Sequence, residues 1–165
     1  MLILIRGNAC SGKSTIAEKL RNYFKDLKKT AVIHTTVFYW EMVFGDSSDV
    51  VMENTKRILD NYLKNGYDVI LEGTLSNRKE DGKLYIMDFL KLAKKYNVPT
   101  KEFFFEADLC ELEKREKIRK KIPIKRLKEF YERTHQTKRK EEIVIDTSKK
   151  SLNQVLKEVK KYLKN

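Results

Sequence analysis

The sequence is poor in cysteine, proline and glycine, and it contains no long apolar run. Its two cysteines, Cys10 and Cys110, stand far apart with no C-x-x-C spacing. That excludes a disulfide framework and a cysteine-ligated zinc site, and a reducing compartment, the cytoplasm, is expected. Two prolines and six glycines leave little room for linkers or low-complexity sequence. The opening MLILI is too short for a signal core, and nothing approaches the roughly 20 apolar residues needed to span a bilayer. A soluble protein without a membrane partner is expected.

What is abundant is positive charge. Thirty-six Lys and Arg against 24 Asp and Glu give a formal charge of +12, and such a field draws phosphate-bearing ligands toward a protein. The excess is spread along the chain, as in KLAKK and EVKKYLKN, so two readings stand: lysines on solvated helix faces, or a surface that binds nucleic acid. At 165 residues the chain is long enough for one substantial core, and residues 1–165 are expected to form a single domain.

Five short runs rich in branched and aromatic residues predict strands over 2–6, 30–34, 67–72, 101–106 and 142–146. Helices are expected between them, over 14–28, 38–44, 50–65, 83–96, 109–120, 124–134 and 152–163. The first carries Ile16, Leu20, Phe24 and Leu27 as an apolar stripe, and the third stops at Asn65-Gly66, a C-terminal cap pair. Strand and helix in regular alternation, with strands as apolar as VILE and FFF, argue for a parallel sheet covered on both faces. Ligands of such sheets bind beyond the carboxyl ends of the strands, so the residues following each strand are the candidates for chemistry.

The strongest signal follows the first strand. In RGNACSGKST, residues 6–15, Gly7, Gly12, Lys13 and Ser14 fit GxxxxGK[ST] between a strand and a helix. The glycines let the backbone curl so that amides face an oligophosphate at the positive end of a helix. Gly7, Asn8, Ala9, Cys10, Ser11, Gly12, Lys13, Ser14 and Thr15 are the expected cradle, with Lys13 on the β- and γ-phosphates and Ser14 on Mg²⁺. Cys10 fits the loop as a small side chain. The helix terminus and Lys13 are expected to lower its pKa and expose it to oxidation or alkylation.

No NKxD segment follows a strand, no DxxG switch is suitably placed and no LSGGQ signature occurs, so GTPase switches and transporter ATPases fall away. The cradle GNACSGKST, the turn VILEGTLSN, the basic helix CELEKREKIRKK and the terminal strand VIDTSKKS together resemble zeta-toxin-like, polynucleotide-kinase-like and chloramphenicol-phosphotransferase-like P-loop kinases. The resemblance spans nearly the whole chain. It implies a three-layer α/β/α fold with a five-stranded parallel sheet in order 2-3-1-4-5, ATP and Mg²⁺ as donor, and a hydroxyl acceptor. It implies a magnesium or acceptor-orienting role for Glu72, with Gly73 turning the chain away and Thr74 near the acceptor. A helical lid is implied around 108–135, whose Arg115 and Arg119, four residues apart on one helical face, clamp the transferring phosphoryl. Such arginines contribute roughly 10³ to 10⁵ in rate in the best-studied cases; the alternative is a solvated face of Glu111–Arg115 pairing, worth little. Thr147 and Ser148 match the loop near the adenine base, and Ser151 reads equally as an N-cap for the last helix.

One position departs from the pattern. Kinases of this group commonly carry an aspartate just after the second strand, where this chain reads VIHTTVFYWEM, with Thr35 or Thr36 at the matching position. Glu72, Glu41, Asp46 or His34 could substitute, or no strong base is needed, because phosphoryl transfer is dominated by positioning and charge. His34 also reads as a structural residue closing its strand. Phe38, Tyr39, Trp40 and Phe44 are either helix core or a stacking wall for a planar acceptor. Two functions follow: an ATP-dependent kinase acting on a small molecule, nucleoside or polynucleotide end, or a nucleotide-binding ATPase or sensor that holds RNA on its basic surface.

Overall fold

Alternation of side chains across the strands decides how the sheet is covered. The computed structural model describes residues 1–42 and 48–163. Strands β1 (Leu2–Gly7), β2 (Thr30–His34), β3 (Asp68–Gly73), β4 (Thr100–Glu106) and β5 (Ile143–Asp146) form one parallel sheet in the order β2-β3-β1-β4-β5. From β1, Ile3 and Ile5 point into a core with Ile16 and Leu20 of α1 (Lys13–Phe24) and Val155 and Val159 of the last helix, Leu152–Leu163. Leu2 and Leu4 point the other way, into a core with Met52 and Leu59 of Ser48–Lys64 and Phe89 of Ile86–Lys95. Burying each such side chain contributes roughly 1.5–3 kcal/mol, and the two faces together produce the α/β/α layering.

In chain order the remaining helices are α2 (Thr35–Val37), α3 (Ser48–Lys64), α4 (Ile86–Lys95), α5 (Leu109–Arg119), α6 (Ile124–Gln136) and α7 (Leu152–Leu163). Helices α5 and α6 share a third, small core of Leu112, Ile122 and Leu127, against which Ala9 and Cys10 of the first loop pack. This cluster seats the α5–α6 hairpin beside the carboxyl edge of the sheet. No helix among the described residues is long and apolar enough to cross a membrane.

The helices depart locally from expectation. Helix α1 ends at Phe24 rather than at residue 28, and Leu27 is 67% exposed instead of extending the stripe. There the amides of Leu27 and Lys28 both take the Phe24 carbonyl, turning the chain into β2. The segment expected to be helical over 38–44 is a single α turn followed by a π-helical stretch, Phe38–Met42. Helix α4 starts at Ile86, not 83, because an Arg78–Leu84 bridge and a Lys79–Lys83 turn fold the preceding residues back on themselves. Gly66, at φ 74°, closes α3 as the Asn-Gly pair predicts. Phe44 and Asp46 lie outside the described residues, as does the side chain of Trp40.

Gly7 and Gly12 are needed for different reasons. A Cβ on Gly7, at φ 132°, would stand 2.0 Å from the Phe105 carbonyl oxygen of β4, whereas one on Gly12, at φ 86°, would meet only Leu152 Cδ2 at 3.4 Å. Gly7 therefore serves close strand approach and Gly12 serves backbone conformation. Gly7→Ala is expected to cost more than about 3 kcal/mol and Gly12→Ala only about 1–2 kcal/mol, read by urea denaturation. Equal midpoints for the two variants would refute this division.

Candidate active site

At the end of β1 the chain reverses direction through Cys10 and Gly12, both left-handed at φ 63° and 86°. That alternation of backbone conformation builds an anion-binding nest, and α1 begins directly behind it at Lys13, adding its positive end. The loop is pinned from below: the Asn8 amide donates to the Phe105 carbonyl at 2.9 Å, and the Ser11 hydroxyl donates to the Asn8 carbonyl at 2.8 Å. Lys13 lies buried inside the curl, its ammonium donating to the Asn8 carbonyl at 2.6 Å. Burial pulls its pKa down to about 8, opposed by nearby Glu72, so it carries its charge at neutral pH.

Glu72 comes from the neighbouring strand. Residues 70 and 72 share a face of β3, the one turned toward α1, so the carboxylate meets the first turn of that helix. Ser14 Oγ donates to Glu72 Oε1 at 3.0 Å. In the β2–β3 register His34 stands opposite Glu72, and its Nδ1 lies 2.7 Å from the same oxygen while its Nε2 lies 2.8 Å from Glu18 Oε1. A carboxylate at each ring nitrogen favours the protonated form of His34. The Glu72 bond raises its pKa most, burial opposes, and Glu18 adds to the rise. Glu72 is 1% exposed, and its Oε2 is buried without a hydrogen-bond partner. An orphaned carboxylate oxygen beside a serine hydroxyl is a hard, oxygen-only donor pair, which fits Mg²⁺ completed by phosphates and water. Among the described residues, no group of three or more His, Cys, Asp or Glu could hold a metal ion by itself.

Above the cradle, the α5 arginines are bound differently from each other. Arg115 donates to the Cys10 carbonyl at 3.3 Å, to Thr147 Oγ1 at 3.2 Å and to the Thr147 carbonyl at 2.7 Å, and it pairs with Glu111. It ties the loop after β5 to the cradle. Arg119 pairs with Glu116. Both arginines line a cleft of about 1580 Å³ together with Lys13, Ser14, Thr15 and Glu72. Thr147 and Ser148 are not among its lining residues; Thr147 is buried with its hydroxyl on the Glu106 carbonyl.

Glu116 was not singled out by sequence. It is buried at the end of α5, where it accepts from the amides of Lys121 and Ile122, from Arg119 and from the Cys10 thiol at 2.8 Å. These bonds, led by that from Cys10, overcome burial and bring its pKa down to about 2. The same contact corrects the expectation for Cys10: burial and the Glu116 carboxylate push its thiol up to about 12, outweighing Arg119 and Lys13, so it is not an activated thiol. The aromatic cluster divides. Phe38 belongs to the core, Tyr39 lines the cleft with its hydroxyl accepting from Asn77 Nδ2 at 3.2 Å, and Glu41 is exposed outside the cleft lining.

Arg6, at the end of β1, was also missed. Fully buried, it pairs with Glu142, reaches Thr137 Oγ1 at 3.2 Å and the Leu75 carbonyl at 3.4 Å, and covers the Phe104 ring. It thereby holds the end of α6 against the loop after β3.

The sequence model described as AAA domain (AAA_33) matches residues 2–155. No curated protein matches the chain. Among solved structures, the APS kinase CysC of Mycobacterium tuberculosis in complex with AMPPNP and APS is 16% identical, with a TM-score of 0.68 over 99% of this chain and 97% of that one. YorR protein of Bacillus subtilis in complex with phosphorylated GDP is 18% identical, with a TM-score of 0.66 over 99% and 96%. The shikimate kinase of Aquifex aeolicus is 19% identical, with a TM-score of 0.63 over 99% and 96%. At such identities the likeness carries the fold alone, a five-stranded parallel sheet with helices on both faces.

Two measurements check the Cys10–Glu116 contact. At pH 8, iodoacetamide is expected to alkylate exposed Cys110 well before Cys10, and Glu116→Gln to accelerate the reaction at Cys10. Because the folded pKa of Glu116 lies below its ordinary 4.5, its contribution is present above that value and is lost as pH falls from 4.5 toward 2. Glu116→Gln should cost on the order of 2 kcal/mol at pH 7 and flatten acid unfolding in that window. A variant as stable as the parent at pH 7 would contradict the assignment.

Proposed function

The chain belongs to the AAA domain family, and on that premise we propose that it is an ATP-dependent kinase passing the γ-phosphoryl group to the hydroxyl of a small molecule, nucleoside or polynucleotide end. The observation that carries the reading is Glu72: a buried carboxylate with one oxygen on the Ser14 hydroxyl and the other unpartnered, at the mouth of a phosphate-type loop. The nearer likeness to zeta-toxin-like and polynucleotide-kinase-like enzymes belongs to this reading, as does a cytoplasmic setting. So does the treatment of residues 1–165 as one domain whose lid is the hairpin around 108–135.

In this mechanism the amides of residues 7–15 and the Lys13 ammonium hold the β- and γ-phosphates. Ser14 and Glu72 are the residues that would hold Mg²⁺, which when bound would supply neutralisation of phosphate charge. Lys13 exchanges the Asn8 carbonyl for phosphate oxygens. Arg119, bound to a carboxylate at the cleft wall, turns to the transferring group, while Arg115 holds the Thr147 loop, the expected adenine side, against the cradle. The acceptor oxygen bonds to the γ-phosphorus as the bond to the β–γ bridging oxygen breaks, and ADP leaves with that electron pair. The hydroxyl proton passes late to solvent. A loose transition state makes no strong demand for a base, which suits a wall carrying Thr35 and Thr36.

The test is transfer of γ-labelled phosphate from ATP to an acceptor panel. Lys13→Ala and Glu72→Gln are each expected to reduce transfer by about 10²-fold or more, with folding unchanged by circular dichroism. Full transfer by Lys13→Ala would sink the reading. Strongly salt-dependent RNA binding that survives this substitution, with no transfer to any acceptor, would favour the RNA-bound ATPase instead.

A further inference from the structure

We infer that the acceptor carries a phosphate group, gripped by Arg78, Arg126 and Arg133 at the end of the cleft away from the cradle. This rests on the kinase reading and adds the class of molecule phosphorylated. The first argument is electrostatic. Seven cationic side chains line the described cleft against two carboxylates, Glu72 and Glu129. Lys13, Arg115 and Arg119 stand at the cradle, and a nucleoside triphosphate with its metal brings roughly two negative charges to that end. The remaining four cations, Arg78, Lys121, Arg126 and Arg133, share the rest of the wall with Glu129 alone. All four are exposed, so they form an open positive wall whose field attracts an anionic acceptor and does nothing for a neutral one.

The second argument is how these arginines are held. Arg133 contacts the Phe130 ring at 5.0 Å, and Arg126 stands over the same ring at 5.3 Å, so one aromatic on the cleft face of α6 gathers two guanidinium groups. Arg78 donates to the Gly82 carbonyl at 2.7 Å. Neither Arg78 nor Arg133 has a carboxylate partner among the described residues, whereas Arg21, Arg57, Arg115, Arg119 and Arg139 each pair with one. The guanidinium groups of Arg78 and Arg133, held in place without a carboxylate, are matched by the bidentate geometry of a phosphate.

The third argument is that both sides are built into one wall. Arg6 ties Thr137 to the Leu75 carbonyl, and Thr137 lies one turn after Arg133, whose carbonyl its hydroxyl also reaches at 3.2 Å. The loop carrying Arg78 and the helix carrying Arg133 are thus braced by a buried ion pair. Between them Ser76, 2% exposed, lines the cleft with a buried hydroxyl that has no hydrogen-bond partner. A buried hydroxyl without a partner is costly, and an acceptor oxygen would satisfy it. A cleft of about 1580 Å³ also exceeds the roughly 300–1,000 Å³ of a single small-ligand pocket, leaving room for a second anion beside the donor.

The experiment pairs acceptors that differ only in a phosphate: ribose 5-phosphate against ribose, and uridine 5′-monophosphate against uridine, with a 5′-hydroxyl oligonucleotide as a third arm and γ-labelled ATP as donor. The phosphate-bearing members are expected to be preferred by at least about 10-fold in kcat/KM. Arg78→Gln and Arg133→Gln, both at exposed positions, should raise the acceptor KM by about 10- to 100-fold while the KM for ATP holds. Equal use of the neutral partners, or an unchanged acceptor KM in both variants, overturns the inference and leaves the kinase reading standing; preference for the oligonucleotide supports it, with a nucleic-acid end as the source of the phosphate. If no acceptor is labelled, the kinase reading falls. Calorimetric titration of ribose 5-phosphate into the protein with a non-hydrolysable ATP analogue then decides the subsite: binding lost in Arg133→Gln supports it, and absent or unaltered binding overturns it.

Discussion

A carboxylate shut away at the edge of a sheet is costly to leave without partners, and the site is organised around how Glu72 obtains them. Its partners come from two separate elements: Ser14 from the first turn of α1 and His34 from the adjacent strand, itself backed by Glu18. Each contact depends on register. A slip of one residue between β2 and β3 would turn His34 to the opposite face and strand the carboxylate. The polar network therefore helps to fix the same strand alignment that the apolar residues of β1 and β3 favour, and it places one free carboxylate oxygen beside the phosphate loop.

Two further buried charges attach the α5–α6 hairpin at opposite ends of the cleft. Glu116 gathers the amides that follow α5 and the thiol of Cys10, joining the hairpin to the phosphate loop. Arg6 gathers Glu142, Thr137 and the Leu75 carbonyl, joining the end of α6 to the loop after β3. Removing one member of such a pair leaves the other buried and unpaired, which is far costlier than losing a surface pair. The hairpin is in this way held at both ends, while the arginines on its inner face lie along the cleft between them.

What could be read from sequence was what depends on neighbours in the chain. The five strands were legible from runs such as VILE and FFF, and the cradle from consecutive residues 7–15 between a strand and a helix. The sheet order followed from a family resemblance, and the fold agrees with it. The illegible part is non-local. Arg6 and Glu142 are 136 positions apart, and nothing near either residue announces the pairing. Glu116 looked like one charge among many on a basic helix, because its burial is decided by Cys10 and by amides beyond the helix end. Cys10 was misread for the same reason: proximity to Lys13 was visible in sequence, but the carboxylate that outweighs it was not. Ser14 and Glu18, four apart on α1, were the one local hint of a polar face directed at Glu72.

The missing aspartate after β2 has a physical reason in this packing. Thr35 is buried at the end of that strand, and a Cβ on Gly73 would stand 2.0 Å from its hydroxyl oxygen. On that side the two residues pack without spare space, so a longer side chain at 35 would have to extend toward the cleft, which Thr35 also lines. It would also set a second carboxylate beside the first in a buried setting, where like charges disfavour one another. The His34 ring nearby is already shared between Glu72 and Glu18. A neutral, short residue at 35 is what this wall accommodates, and the consequence for chemistry is that acceptor alignment falls to the cationic side of the cleft. In a reaction governed by positioning and charge more than by proton removal, fixed guanidinium groups can perform the alignment that a carboxylate performs elsewhere.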